Sequence, residues 1–404
     1  MTDNRYDTVG IECRGSEPRS VIIEVILFIT LLSGYSLIGC RQTDSPLTPV
    51  TPPVSATVTA PAAVTVALPA VYVGSFDGHL YALDTTTGVQ RWAFRADTSI
   101  QSSPIVANRV VYVGNNDFNL YALDATTGLK KWEFLAGAFV YSSPVVANGI
   151  VDVGCQDGKL YAIDAVSGDL RWRFSADFGL YSSPTVAGGL VYIGGQDTNL
   201  YAIDSATGVL RWVFKTNDYI LSSPVVADGI VYVGSQDNQL YAVDALTGKR
   251  RWAFKTGNLI DSSPVVANGR VYVGSYDGNL YALDAMTGAR RWAAKTNNAI
   301  YSSPVVANGL VYIASRDYSL YALDESTGAR RWAFSTNFDI YSTPVVTGGT
   351  VYVGSNDFNF YALDARTGTQ RWVFKTEGIV VSSPALAQPS VAVGSYPSIS
   401  GASQ

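Results

Sequence analysis

The chain has 404 residues, 47% of them hydrophobic and 15% charged, with a formal net charge of −5. That composition belongs to a globular protein with room for two or three ordinary domains, not to a disordered chain. The negative balance argues against a general affinity for nucleic acid or anionic membranes, and one histidine (His79) with three scattered cysteines (Cys13, Cys40, Cys155) offers neither metal spacing nor a disulfide framework.

The first forty residues differ from all that follow. Val25 to Ile38 is apolar, follows Arg14 and Arg19, and ends in Leu37-Ile38-Gly39-Cys40. The stretch is short for a spanning helix and has the length of a signal-peptide core. Its last four residues resemble a bacterial lipobox, which would make Cys40 the lipidated first residue of the mature protein. The alternative is an uncleaved anchor helix from Val21 to Gly39. Either reading tethers the rest of the chain outside the cytoplasm. Residues 41–70 hold six prolines among Thr, Ala and Val, which favours an extended linker over a packed core.

From Val71 to about residue 395 the sequence repeats with a period of 40, marked by Trp92, Trp132, Trp172, Trp212, Trp252, Trp292, Trp332 and Trp372. A β-rich repeat of this length is expected to form one propeller blade. The expectation is therefore an all-β, eight-bladed propeller of four-stranded antiparallel blades, with a short tail at 396–404. In the second repeat the strands fall at 102–107, 110–114, 119–124 and 130–134, separated by Gly, Asn and Asp. The proline of each Ser-Ser-Pro (Pro104, Pro144, Pro184) places the first strand at an edge, towards the crowded axis. The cations beside each tryptophan place the last strand at the rim. The N-terminal repeat lacks its Ser-Ser-Pro strand, whereas SSPALA at 382–387 has no repeat of its own; the latter is expected to close the ring. Val391 to Ser395 would then duplicate a strand.

Two aspartates recur in each repeat. Asp84 and its equivalents precede a Thr/Ser-Gly pair, where a carboxylate can cap its own turn. Asp77 and its equivalents lie between the second and third strands. One acid per turn is too few for calcium, so turn formation is expected rather than metal binding. The pattern Ala82-x-Asp84-x-x-Thr87-Gly88-x-x-x-Trp92 resembles the tryptophan-docking motif of pyrroloquinoline-quinone-type propeller repeats. The resemblance implies that each tryptophan packs between blades against the glycine turn of the next motif. Full burial of an indole would contribute on the order of 2–3 kcal/mol.

Some members of that family are quinone-dependent dehydrogenases. Their insertions and adjacent cysteine pair have no counterpart here and glutamate is nearly absent from the repeats (Glu133, Glu325, Glu377), so no enzyme activity and no cofactor are expected. No nucleophile elbow, phosphate loop or zinc spacing appears either. Variation between repeats concentrates in two loops per blade: the one entering the first strand (AFVY, FGLY, NAIY) and the one between the second and third (NDFN, YDGN, RDYS). In an antiparallel meander both emerge on one face. Phe118, Tyr141, Tyr181, Tyr219, Tyr276, Tyr301, Tyr318, Tyr341 and Phe358 gather there, with more acids (Asp97, Asp177, Asp218, Asp261, Asp339, Glu377) than bases. Aromatic loops on a rigid scaffold are expected to bind a protein partner in the cell envelope. A carbohydrate ligand is the rival; packing of the blade tops would leave no binding role. The layout of lipobox, linker and eight blades resembles outer-membrane assembly lipoproteins. That likeness implies a monomeric scaffold anchored to the outer membrane or cell surface. Asp152, where the other internal repeats have tyrosine, marks either a site or repeat drift.

Overall fold

The computed structural model describes residues 69–386, which contain 32 β-strands and no helix. The leader, Cys40, nearly all of the 41–70 linker, Val391 to Ser395 and the 396–404 tail lie outside the described residues. The strands form eight four-stranded antiparallel sheets, seven of them with their members in chain order from inner to outer edge and the first with the chain's last strand on its inner edge. This is the eight-bladed propeller that the repeat length implies. Blade 2 is typical, with strands Ile105–Ala107, Val110–Gly114, Asn119–Asp124 and Lys130–Leu135. Blades 3 to 8 follow at intervals of one repeat. Blade 1 comprises Ala70–Gly74, His79–Asp84 and Gln90–Arg95, completed on its inner edge by Ala385–Leu386.

The middle strands are apolar on both faces because each blade is sandwiched between two neighbours. In blade 2, Val111, Tyr112, Val113, Leu120, Tyr121, Ala122 and Leu123 are all buried. One face packs on blade 1, where Val111, Val113, Tyr121 and Leu123 meet Tyr72, Leu80 and Ala82. The last seam, between blades 8 and 1, has the same make-up: Val71, Val73 and Leu83 against Tyr352, Phe360 and Ala362. The ring is thus closed by hydrogen-bonded pairing of its own C-terminal strand with the first blade, Val71 opposite Leu386 and Tyr72 opposite Ala385.

The Ser-Ser-Pro segments have a function in the ring that neither propensity nor period reveals. The second serine accepts, on its Oγ, the backbone N–H of the same position in the preceding blade: Ser103 to Ser143 at 3.0 Å, Ser143 to Ser183, Ser183 to Ser223, and so on through Thr343. Thr343 donates to Ser383, and Ser383 donates back to Ser103 at 2.9 Å, which completes a hoop of eight bonds. The first serine is buried and ties its own blade, as Ser102 Oγ does by accepting Gly114 N–H at 3.2 Å. At the closure Ser382 does the same for Gly74.

At the rim, Ala122 pairs with Trp132 but Leu123 pairs with Lys130, so Lys131 is the extra residue of a β-bulge. Every blade has this bulge, and the cation at its apex turns back to the aspartate of the third strand. The Arg91–Asp84 pair spans 2.6 Å, Arg211–Asp204 2.7 Å and Lys131–Asp124 3.4 Å. These cations therefore do more than discourage pairing with other chains. Asp84 also caps its turn, Oδ1 accepting from the Thr86 and Thr87 amides at 2.9 Å. The Arg91 guanidinium holds the Asp84 carboxyl down to about 2. Gly88 follows with φ of +73°.

Each indole lies on the glycine turn of the next blade. A Cβ on Gly128 would sit 2.7 Å from Cδ2 of Trp92, whose Nε1 donates to the Ala125 carbonyl at 3.1 Å. Trp372 closes the circle on Gly88 and the Thr85 carbonyl. The tryptophans are only partly buried. The contribution expected of a sealed indole is therefore an overestimate, and directional contacts carry part of the docking.

Candidate functional site at the loop face

The two variable loops of each blade come together as the meander requires. The Tyr276 amide donates to the Leu259 carbonyl at 3.0 Å, joining a loop between middle strands to the loop that leads into the same blade. The recurrent aspartate of the former loop stiffens both. Asp77 Oδ1 accepts the His79 amide at 2.9 Å, while Oδ2 accepts the Tyr81 hydroxyl at 2.9 Å and the Glu377 amide at 3.0 Å. The same arrangement holds Asn217 to Asp237 and Gly257 to Asp277. These hydrogen bonds keep the Asp77 and Asp277 carboxyls below the usual range, against the opposing effect of burial.

The residues immediately ahead of each Ser-Ser pair stand just above the serine hoop and so ring the mouth of the central channel. They read Gln101, Tyr141, Tyr181, Leu221, Asp261, Tyr301, Tyr341 and Val381 around the circle. Positions four repeats apart lie on opposite blades of a closed eight-membered ring. The pair Tyr141 and Tyr181 therefore stands across the mouth from Tyr301 and Tyr341.

The nine aromatic residues expected to share a face do lie on these loops, but they do not form one patch. One group runs from Phe118 through Phe139 (centroids 5.2 Å apart) to Tyr141 (5.6 Å) and Tyr181, the last two stacked at 5.2 Å. A second group has Tyr276 edge-on to Tyr301 at 6.1 Å, and Tyr301 edge-on to Tyr341 at 5.1 Å. The Arg316 guanidinium lies 5.6 Å from the Tyr341 ring centre and its Nε is 3.1 Å from Asp339. Tyr219, Tyr318 and Phe358 are exposed and make no ring contact with either group. Asp261 is half-buried, its Oδ1 accepting from Gln236 Nε2 at 3.0 Å, and burial pushes its carboxyl up.

Backbone geometry adds a feature that the residue list alone does not show. Phe118, Tyr318 and Phe358 have φ of +75°, +70° and +67°, in the left-handed region. The matching residue is glycine in three other blades, Gly78, Gly158 and Gly278, all with positive φ. The site is crowded as well: a Cβ on Gly158 would stand 3.0 Å from the Ala176 carbonyl. Bulky side chains in this conformation are strained by about 1–2 kcal/mol each. All three remain exposed, at 39%, 45% and 43%. A signal existed in the sequence, where aromatic residues align with glycine, but only the turn geometry makes it legible.

On the opposite face the exposed apolar residues, such as Leu129, Val166, Leu246 and Met286, stand one to a turn. Scattered single residues of this kind are ordinary surface. Among the described residues no three His, Cys, Asp or Glu side chains come together as a metal-binding set.

Fold and repeat motif define a quinoprotein-type eight-bladed propeller whose variable, aromatic surface surrounds one mouth of the channel. The family model for the outer membrane protein assembly factor BamB matches the chain at residues 48–176, 167–259, 255–373 and 287–397. The chain belongs to that family. Among solved structures it is similar to BamB from Moraxella catarrhalis, with a TM-score of 0.61 and 20% identity over 73% of this chain and 91% of that one. It is similar as well to the computationally designed Ika8 protein (TM-score 0.64, 16% identity, 70% and 89% covered). A europium-containing methanol dehydrogenase also matches (TM-score 0.62, 16% identity, 72% and 81% covered). At these identities the likeness is one of fold. No curated protein sequence is significantly similar to the chain.

Proposed function

We propose that the chain is a non-catalytic scaffold that binds protein partners of the cell envelope through its loop face. Cys40, at the end of the lipobox-like segment, carries the lipid anchor in this reading, and the Pro/Thr-rich linker holds the propeller off an outer membrane or cell surface. The observation that carries the reading is the strained trio Phe118, Tyr318 and Phe358. Glycine at these turns relieves strain and removes exposed apolar surface, as three sister blades demonstrate. Retaining aromatic residues there costs stability while leaving all three rings well exposed, which is the mark of a recognition residue.

The quinone and metal suggested by the repeat's name do not fit the residues at the mouth. An anionic quinone with its cation calls for free bases beside clustered acids. Arg316 is committed to Asp339, and no metal-binding set exists among the described residues. Membership in the assembly-factor family supports the same non-enzymatic reading.

The test is the triple substitution Phe118→Gly, Tyr318→Gly and Phe358→Gly. The expected result is a melting temperature equal to or above wild type, because relief of strain offsets the greater chain entropy of glycine. Crosslinking to the partner captured by wild type in native membranes should fall by about tenfold or more. Full retention of that crosslink contradicts the proposal.

A further inference from the structure

We infer that Tyr276, Tyr301, Tyr341 and Asp261 form a cage for an ammonium group at the channel mouth. The inference rests on the reading of the loop face as a recognition surface and names the chemistry that one part of it takes.

Three phenol rings line the cage, each edge-on to the next at 6.1 Å and 5.1 Å. Tyr301 stays 36% exposed although it contacts the other two rings. Ring faces are the negative pole of the aromatic quadrupole and attract cations within about 6 Å. The structure already contains one such contact, Arg316 over Tyr341 at 5.6 Å. That guanidinium is neutralised by Asp339, which leaves the Tyr301 side of the cage to an external cation.

Asp261 supplies the counter-charge. It occupies a mouth position where four other blades have tyrosine, it interacts with Tyr276 and Tyr301, and among the described residues it pairs with no cation. The charged group that acts on it is another acid, Asp218. The half-buried carboxylate accepts hydrogen bonds from the Gln236 amide and the Tyr276 hydroxyl but lacks the positive partner that such a group ordinarily requires. Across the mouth, Tyr141 and Tyr181 stack on each other and have no acid between them. This side of the mouth combines a tyrosine cluster with a carboxylate.

Two sources can present an ammonium group: a free quaternary amine, or a lysine side chain of a bound protein. Choline and Nα-acetyl-lysine amide serve as probes, with 3,3-dimethyl-1-butanol as the uncharged analogue of choline. Titrations use the lipidated chain in detergent, followed by calorimetry. The expected result is saturable binding of at least one cation and none of the neutral alcohol. Tyr301→Leu should weaken binding by about tenfold, whereas Tyr301→Phe, which keeps the ring, should change it little. Asp261→Asn should weaken it, and Arg316→Gln should strengthen it by freeing the Tyr341 ring and the Asp339 carboxylate. Tighter binding of choline assigns the cage to a free amine; tighter binding of the lysine derivative assigns it to a partner side chain. Absence of saturable binding to folded wild type overturns the inference, as does binding indifferent to both Tyr301→Leu and Asp261→Asn. Cation binding that persists while partner crosslinking is absent counts against the scaffold reading, and the reverse counts against the cage alone.

Discussion

At the scale of single residues, Asp152 is the sharpest departure from the repeat. Seven blades have tyrosine at this place, and in six of them its hydroxyl donates to a backbone carbonyl of the next blade, as Tyr112 does to Ala165 at 3.0 Å. Asp152 is 1% exposed, and its Oδ1 has no hydrogen-bond partner. Burial pushes its carboxyl up to about 7. In the unfolded chain it titrates near its ordinary value of about 3.9. The penalty is therefore absent below that value, grows as pH rises through the window and is complete above about 7, reaching on the order of 4 kcal/mol. Asp152→Asn should remove this pH dependence, and Asp152→Tyr should also restore the hydrogen bond. Urea melts at pH 5 and pH 8 check the prediction. Wild type should lose about 2–3 kcal/mol more than Asp152→Asn between the two. Equal losses would show that the carboxylate is solvated or paired.

At the scale of elements, the seam between blades depends on the close approach of indole to glycine. Gly128→Ala places a Cβ against the Trp92 ring at a φ of +73°. Gly149 has a similar φ of +77° with open space around its Cα. Gly149→Ala should cost only the backbone strain of about 1 kcal/mol. Gly128→Ala should cost about 2–4 kcal/mol, because the ring must also move. Paired denaturant melts isolate the seating of the indole; equal costs would show that the tryptophan adapts freely. This contact was expected from the resemblance of the Asp84-x-x-Thr87-Gly88-x-x-x-Trp92 pattern to the tryptophan-docking motif, which implies it; the spacing alone does not. The serine hoop was not expected, although Ser103 and its equivalents repeat just as faithfully. Pattern reading assigns a Ser-Ser-Pro to an edge, but a bond from the amide of one blade to the hydroxyl of the next exists only once the ring brings them together.

At the scale of the whole molecule, the strand Ala385–Leu386 decides whether eight blades make a closed ring or an open arc. Closure adds the bonds from Thr343 to Ser383, from Ser383 to Ser103 and from Gly74 to Ser382, besides the ladder to Val71 and Tyr72. At about 1 kcal/mol each, the three side-chain bonds alone amount to roughly 3 kcal/mol. A chain ending at Leu386 should melt like the full chain, and one ending at Val381 should be less stable by at least that amount. Similar melting of both would place closure elsewhere.

Blade number, strand order and closure were all readable from period, proline and the missing first strand. The grouping of the loop aromatics was not. Sequence places Tyr141 and Tyr301 alike, yet one stacks with Tyr181 while the other joins Tyr276 and Tyr341 beside Asp261. That difference arises from which neighbours the ring supplies, and no single repeat contains it.

The central claim is that recognition belongs to the loop face alone. Photo-crosslinking residues introduced one at a time at Phe118, Tyr318 and Phe358, and at Leu129, Val166 and Leu246 on the opposite face, test it in native membranes. The account predicts that the first three capture one and the same protein and that the second three do not. Capture of that protein from the opposite face, with none from the loops, would contradict it.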